Sequence, residues 1–206
     1  MKDNNQCGCC SCDPEDALFD ILKKNLPPRR YKHVLEVVKI SEMLAKKHGA
    51  ETKRARLAAA LHDIARSWKD KDLILYARNK RLRVPDNDFV LKYQPVILHS
   101  FVGEDVAKDY FQIKDREILS AIRNHSLGAE KMGVLEKIVY VADLLSSEKD
   151  HHGRKELEKL ALKDLDASFL EAMRRKIIYT LGAGKPLYPG TLRTWNYYVS
   201  DHGGKK

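Results

Sequence analysis

Six residues of types that bind metal ions occur within apolar, helix-like stretches of this 206-residue chain. For example, Asp63 lies in LAAALHDIA, Asp143 in KIVYVADLL and His99 in PVILHSF. A carboxylate or an imidazole is costly to bury unless a hydrogen bond or a charge compensates it. A bound cation compensates several such groups at once and keeps the carboxylates ionised. The pattern therefore predicts a metal site drawn from His33, His62, Asp63, His99, His125 and Asp143.

The ligand types indicate which metals this site would take. Two imidazoles and two carboxylates suit iron, manganese or zinc better than magnesium or calcium. The adjacent His62 and Asp63 diverge by about 100° on an α-helix, yet their side chains can lean around the helix toward one ion. His99 and His125 either complete a second metal site or contact the phosphates of a substrate. Any one of these histidines could equally be a hydrogen-bonded core residue, so the prediction depends on the whole set.

Apolar residues recurring with a helical period place the six residues on helices. No segment shows sustained strand alternation, so the predicted fold class is all-α. One domain is expected over 14–200, between a flexible Cys-rich tail at 1–13 and a short tail at 201–206. A loop broken by a short turn of helix is expected at 81–95, and the last helix is expected to bury Leu192, Trp195 and Val199. The predicted helices are about 14–25, 29–48, 52–67, one that follows Asp70, 96–110, 115–124, 134–146, 154–162, 164–181 and 190–200.

The charge balance and the termini indicate the class of ligand and the compartment. Lys and Arg number 38 against 29 Asp and Glu, a formal net charge of +9 that favours anionic ligands, either nucleotides or nucleic acid. No stretch approaches the roughly 20 apolar residues that span a bilayer. The start MKDNNQ lacks the apolar region of a signal peptide. We therefore expect a cytoplasmic protein that is not bound to a membrane.

All four cysteines lie in the string CGCCSC, at Cys7, Cys9, Cys10 and Cys12. With none in the body of the chain, a disulfide framework for the fold is excluded, which agrees with a reducing compartment. The tail could capture a soft metal such as zinc or copper(I). Its spacing matches none of the usual paired ligand spacings, which favours the other interpretation, a terminal segment with reactive thiols.

The order His33, His62-Asp63 and a late Asp143 resembles the HD superfamily of metal-dependent phosphohydrolases. The resemblance is closer to one branch, the YqeK-type symmetrical diadenosine tetraphosphate hydrolases of bacteria, and it covers roughly residues 15–200. It implies an HD-domain helical bundle. The strings that carry it are RRYKHVLEV, ALHDIAR, LHSFVGEDVAK, AIRNHSLG, LEKIVYVAD and TLRTWNYY.

The resemblance also implies a metal set. A first-row cation, divalent or trivalent and with iron preferred, would be held by His33, His62, Asp63 and Asp143. One or two ions are implied, since His99 and His125 could hold a second.

The remaining implied roles concern the substrate. Arg30 would contact the nucleotide, and His99, His125 and Ser126 would face its polyphosphate. Arg66 stands where the family usually has lysine, so the positive charge is kept, and it would act with Asp63 in catalysis. The segment after Asp143, LLSSEKDHHG, departs from the family pattern of an aromatic residue, Glu-Pro and an arginine. Lys149 would replace that arginine as a point charge rather than a planar fork.

The implied reaction is attack of a metal-activated water on the polyphosphate chain, with diadenosine tetraphosphate cut into two ADP. One alternative is another HD phosphohydrolase that acts on a nucleoside monophosphate, a dNTP or a guanosine alarmone. A second alternative is a basic RNA- or ribosome-binding module with a structural metal, against which no aromatic-basic stacking surface is visible. The expected partner is thus a nucleotide rather than a nucleic acid, and a homodimer is left open.

Overall fold

The computed structural model describes residues 14–146 and 153–201, and every regular element within those ranges is a helix. The all-α prediction is therefore confirmed. A short 3-10 helix, Pro95–Ile97, precedes α6. The helices are α1 Pro14–Asn25, α2 Pro28–His48, α3 Thr52–Leu61, α4 Asp70–Asn79, α5 Asn87–Tyr93, α6 Leu98–Asp109, α7 Arg116–Asn124, α8 Val134–Leu145, α9 Arg154–Lys163, α10 Leu165–Gly182 and α11 Pro189–Asp201.

Local signals start and stop the helices that carry the site. Pro28 occupies the beginning of α2, where its missing N–H costs nothing, and Gly49 ends that helix in the left-handed conformation at φ 70°. At the start of α7, the Asp115 carboxylate accepts the backbone N–H of Glu117 at 2.9 Å. Gly128 follows α7 at φ +74°, and a Cβ there would lie 2.7 Å from the Met173 side chain. The positive φ favours glycine at this turn, which places the end of α7 against α10.

Two apolar cores hold the helices together. The larger one joins α2, α3, α7, α8 and α10 through side chains such as Leu44, Ile138 and Phe169, all fully buried. The smaller one surrounds α4 and α6 and includes Leu73 and Val102. Each fully buried side chain of this size contributes about 1.5–3 kcal/mol. The turn after α3 passes from the larger core to the smaller one, which brings its residues to the middle of the molecule.

The third helix is shorter than the sequence predicts, because α3 ends at Leu61 and not at Ser67. Beyond Leu61 the backbone forms successive turns with hydrogen bonds to the carbonyl three residues earlier, such as Arg66 N–H to Asp63 O at 2.9 Å. These bonds tighten the chain relative to an α-helix. The change from α-helix to tighter turns therefore occurs at His62 and Asp63, two residues of the predicted metal set.

The predicted buried face of the last helix is wrong. Leu192 and Val199 are exposed in α11, and Trp195 is only partly buried. The buried face instead carries Thr194 and Tyr198, because the Tyr198 hydroxyl accepts the Met132 backbone N–H at 2.7 Å. On the buried face of α11, polar groups with a hydrogen-bond partner thus take the positions that the apolar side chains were predicted to occupy.

Within residues 14–146 and 153–201, no helix is long and apolar enough to cross a bilayer. The CGCCSC segment lies outside the described residues.

Candidate metal centre and active site

The side chains of the predicted metal set converge on the carboxylate of Asp63, which is only 3% exposed. Its Oδ2 lies 3.7 Å from His33 Nε2 and 3.5 Å from His62 Nε2. Its Oδ1 lies 3.4 Å from His99 Nε2 and 3.5 Å from His125 Nε2. Each oxygen of one carboxylate therefore faces two imidazoles.

These residues form two groups that could each hold a metal ion. In the first triad, His33, His62 and Asp63, and in the second triad, Asp63, His99 and His125, the ligand-type atoms lie within 4.8 Å of one another. Asp143, on α8, extends the first triad, since its Oδ1 lies 3.2 Å from His33 Nε2 and 3.9 Å from His62 Nε2. The structure thus brings all six predicted residues together.

The helix ends orient three of the four imidazoles. The Nδ1 atoms of His62, His99 and His125 contact the backbone carbonyl three residues earlier, at 2.6, 2.5 and 2.7 Å respectively. His62 and His125 directly follow α3 and α7, where the last carbonyls have no partner within the helix. A carbonyl only accepts hydrogen bonds, so each Nδ1 carries a proton and Nε2 is the ring nitrogen left to bind either a proton or a metal ion. With Nε2 unprotonated, this is the form of histidine that binds a metal.

The buried polar atoms at the centre fit a metal ion. The Nε2 atoms of His33 and His62 are buried and form no hydrogen bond to any described residue. His99 Nε2 and His125 Nε2 lie 3.2 Å apart. Burial lowers the pKa of His125 to about 4, so its imidazole is neutral at physiological pH. The Nε2 lone pair of His125 therefore faces His99 Nε2, and a proton or a cation between the two nitrogens would satisfy both.

Both carboxylates of the centre are ionised. Burial alone would raise the pKa of Asp63, but the charge of His62 and hydrogen bonds from neighbouring imidazoles hold it well below its usual value. Arg30 also donates to Asp63 Oδ2 at 2.7 Å. Burial would likewise raise the pKa of Asp143, yet the nearby Lys176 ammonium holds it below its ordinary value. Ionised carboxylates beside imidazoles suit a borderline first-row metal.

A cavity of about 1490 Å³ opens over the centre. Arg30, Arg66 and Ser126 line it together with His99 and His125, so five predicted substrate-contacting residues share this space. Lys149, the third predicted cation, lies outside the described residues. Among the described residues that line the cavity, three have carboxylates, namely Asp63, Asp70 and Asp143. The eight lysines and arginines among its described lining residues are Arg29, Arg30, Arg66, Arg154, Arg174, Arg175, Lys176 and Lys185.

Lys176 is a residue of the centre that the sequence interpretation missed. Its Nζ lies 3.3 Å from Asp143 Oδ2, donates to the His125 carbonyl at 3.2 Å and sits 3.9 Å from the centre of the Tyr140 ring. The sequence could have indicated Lys176 through its position in α10, because it lies three residues after the buried Met173 and so on the same apolar face of the helix. A lysine on that face indicates a buried charged partner.

Ser146 was missed as well. This fully buried residue directly follows α8, and its Oγ lies 3.1 Å from His33 Nδ1. A serine at a helix end has many ordinary explanations, so no local pattern distinguishes it.

Comparison with known proteins agrees with this geometry. The family model described as the HD domain matches residues 30–148, which include all six residues around Asp63. A protein of Bacillus subtilis named symmetrical bis(5'-nucleosyl)-tetraphosphatase is 32% identical over 90% of this chain and 97% of its own. A protein of the same name from Halalkalibacterium halodurans is 31% identical, over 86% and 93% respectively.

A solved structure has the same fold. The crystal structure of a protein from Clostridium acetobutylicum, described as a predicted HD superfamily hydrolase involved in NAD metabolism, matches with a TM-score of 0.84. It is 32% identical and covers 90% of this chain and 97% of its own. The resemblance and the HD-domain bundle predicted from the sequence are confirmed: the chain belongs to the HD domain family.

Proposed function

We propose that this protein is a metal-dependent phosphohydrolase that cleaves diadenosine tetraphosphate symmetrically into two molecules of ADP. The observation that carries the proposal is the pair of triads sharing Asp63 beside a large, cationic cavity. The cleavage position is supported by the relatives named symmetrical bis(5'-nucleosyl)-tetraphosphatase.

The cavity favours a long polyphosphate over a mononucleotide. Its volume of about 1490 Å³ exceeds the roughly 300–1000 Å³ typical of small-molecule sites. In the described part of the lining, eight cationic side chains against three carboxylates favour a substrate with several phosphates. A dinucleoside tetraphosphate uses both properties, since it combines four phosphates with two nucleosides.

We further propose iron as the resident metal, held by His33, His62, Asp63 and Asp143, with His99 and His125 available for a second ion. The mixed imidazole and carboxylate set supports iron, manganese or zinc over magnesium. When bound, such a metal lowers the pKa of a water molecule and offsets negative charge on phosphoryl oxygens.

The chain's own residues would position the polyphosphate. Arg30 uses Nη1 to hold Asp63 at 2.7 Å, which leaves other N–H groups of its guanidinium for a phosphate. Arg66 lines the same cavity, and its side chain forms no hydrogen bond or ion pair with another residue of the described ranges. Both would stabilise charge that develops on the phosphoryl group in the transition state.

The proposed step balances without a further reactant. The oxygen of one water bonds to one of the two central phosphorus atoms, and that phosphorus loses its bond to the central bridging oxygen. One ADP leaves with the water oxygen and the other with the bridging oxygen, while the protons of water pass to solvent.

Product analysis tests the proposal. The full chain, loaded with Fe²⁺, Mn²⁺ or Zn²⁺ or treated with a chelator, is incubated with diadenosine tetraphosphate in ¹⁸O-water. We expect ADP as the sole product, with one ¹⁸O in half of the molecules, and no turnover after chelation. ATP plus AMP as products would overturn the symmetrical cleavage.

Competing substrates sharpen the same test. A nucleoside monophosphate, a dNTP, a guanosine alarmone and NAD are compared at equal concentration, with Asp63→Asn as the control for contaminating hydrolases. Higher kcat/KM for any of them than for diadenosine tetraphosphate would overturn the proposed substrate.

A further inference from the structure

We infer that Ser146 is a positioning residue that holds His33 in the orientation a metal ligand requires. The inference rests on the metal site proposed above. It concerns His33, whose imidazole contacts no backbone carbonyl of residues 14–146 and 153–201.

His33 differs from the other three histidines in its place on a helix. It lies inside α2, where the carbonyls of the preceding turn accept N–H groups of the helix itself. Its Nδ1 therefore needs another partner. That partner is the side chain of Ser146, which comes from the end of α8, 113 residues later in the chain.

The hydrogen-bond directions at Ser146 follow from its single proton. The hydroxyl donates to the backbone carbonyl of Asp143 at 2.9 Å. Toward His33 Nδ1, at 3.1 Å, it can then only accept. The proton of His33 is thereby assigned to Nδ1, and Nε2 keeps a lone pair that faces Asp143 Oδ1 at 3.2 Å and Asp63 Oδ2 at 3.7 Å.

Ser146 also ties two metal-site residues to each other. One hydroxyl contacts the imidazole of His33 and the main chain of Asp143, so it fixes α2 relative to the end of α8 at the first triad. Ser146 is fully buried. Without the hydroxyl, the imidazole could rotate or change its tautomer, and outer-shell losses of this kind typically weaken metal binding about 10- to 100-fold.

A matched control exists in α10. Ser168 is equally buried and its Oγ donates to the carbonyl three residues earlier, Leu165 O, at 2.8 Å. Ser168→Ala therefore removes the same hydroxyl, the same type of backbone bond and the same volume, without touching a histidine of the centre. Any difference between the two serine variants reports the contact with His33.

The experiment measures binding of Co²⁺ to the full chain, without substrate. Affinity is obtained by competition with a chelator, the visible spectrum of the bound Co²⁺ reports its coordination, and circular dichroism reports the fold. We expect about 10- to 100-fold weaker Co²⁺ binding in Ser146→Ala, an altered spectrum, and recovery in Ser146→Thr, which keeps the hydroxyl. Ser168→Ala should bind Co²⁺ like the unaltered chain.

If Ser146→Ala does not fold, Ser146→Cys is used, since it keeps the volume and replaces the hydroxyl by a weak hydrogen-bonding thiol. Unchanged affinity in the folded variant, or an equal loss in Ser168→Ala, would overturn the inference, as would an unaltered chain that binds no Co²⁺. A chain that binds Co²⁺ but does not hydrolyse diadenosine tetraphosphate would overturn the proposed function and leave this inference standing.

Discussion

The two triads share one carboxylate but differ in charge and in access. The first triad has a second carboxylate, Asp143, and two cations, Arg30 and Lys176, and it faces the cavity with side chains that are 11% exposed at His33 and 22% exposed at Asp143. The second triad adds only two imidazoles to Asp63. The side chain of His99 is 5% exposed and that of His125 is 3% exposed. A divalent cation is attracted more strongly by two carboxylates than by one. From this comparison we expect the first triad to bind a metal ion more strongly and a polyphosphate to approach from its side.

The largest expected effect comes from removing the residue that both triads share. Asp63→Ala should lower kcat/KM by about 10³-fold or more, because it deprives both groups of their only common ligand. Bound metal should fall in parallel, while the helical circular dichroism persists, since Asp63 lies in a turn after α3. Asp166→Ala, an exposed carboxylate on α10, is the control. Near-normal turnover in Asp63→Ala would contradict the role of the shared carboxylate.

A second pair of variants separates the triads. Asp143→Asn should weaken metal binding and turnover by at least about 100-fold, the upper end of what outer-shell partners cost. His125→Gln should cost less, because the first triad keeps both carboxylates. The measurements are metal content by elemental analysis and kcat/KM. If His125→Gln loses more metal than Asp143→Asn, the ranking of the triads is reversed.

Lys176 tests the charge difference alone. Lys176→Met should lower kcat/KM about tenfold, which corresponds to about 1.4 kcal/mol, because an ammonium that faces the cavity no longer offsets phosphate charge. Metal affinity should not fall, since Asp143 loses a competing cation.

Lys137→Met is the matched control for this variant. Lys137 also pairs with a carboxylate, Asp166 Oδ1 at 2.6 Å, and lies 5.3 Å from the ring centre of Tyr198. It does not line the cavity. Equal losses of activity in the two lysine variants would show that Lys176 acts on stability rather than on the reaction.

The smallest effect is expected at the N-terminus. Removing residues 1–12, which contain all four cysteines, should leave kcat/KM unchanged because both triads lie downstream. Kinetics of the truncated chain, with its metal content, check this. A loss of turnover would mean that the cysteine segment takes part in the site.

Much of the fold and of the centre could be predicted because the signals are local. The helical period of apolar residues predicted α2, α7 and α8 to within a residue or two of their observed ends. The cost of burying Asp63 or His99 indicated a compensating partner before any contact was known. The end of α3 was missed because LAAALHDIARS has good helix-forming residues throughout, and only packing against both cores makes the tighter turns at His62 favourable.

The sequence by itself predicted which residues could bind a metal and that the ligand is anionic, because residue chemistry is a property of short segments. The tertiary structure alone decided which of these residues contact one another. It placed each oxygen of Asp63 beside two imidazoles and brought Lys176 of α10 to Asp143. It also placed Ser146 against His33, and it buried Thr194 rather than Leu192 on the inner face of α11. Each of these contacts joins segments far apart in the chain or depends on which partner a polar group can reach. The local spacing of residues determines neither of these two properties.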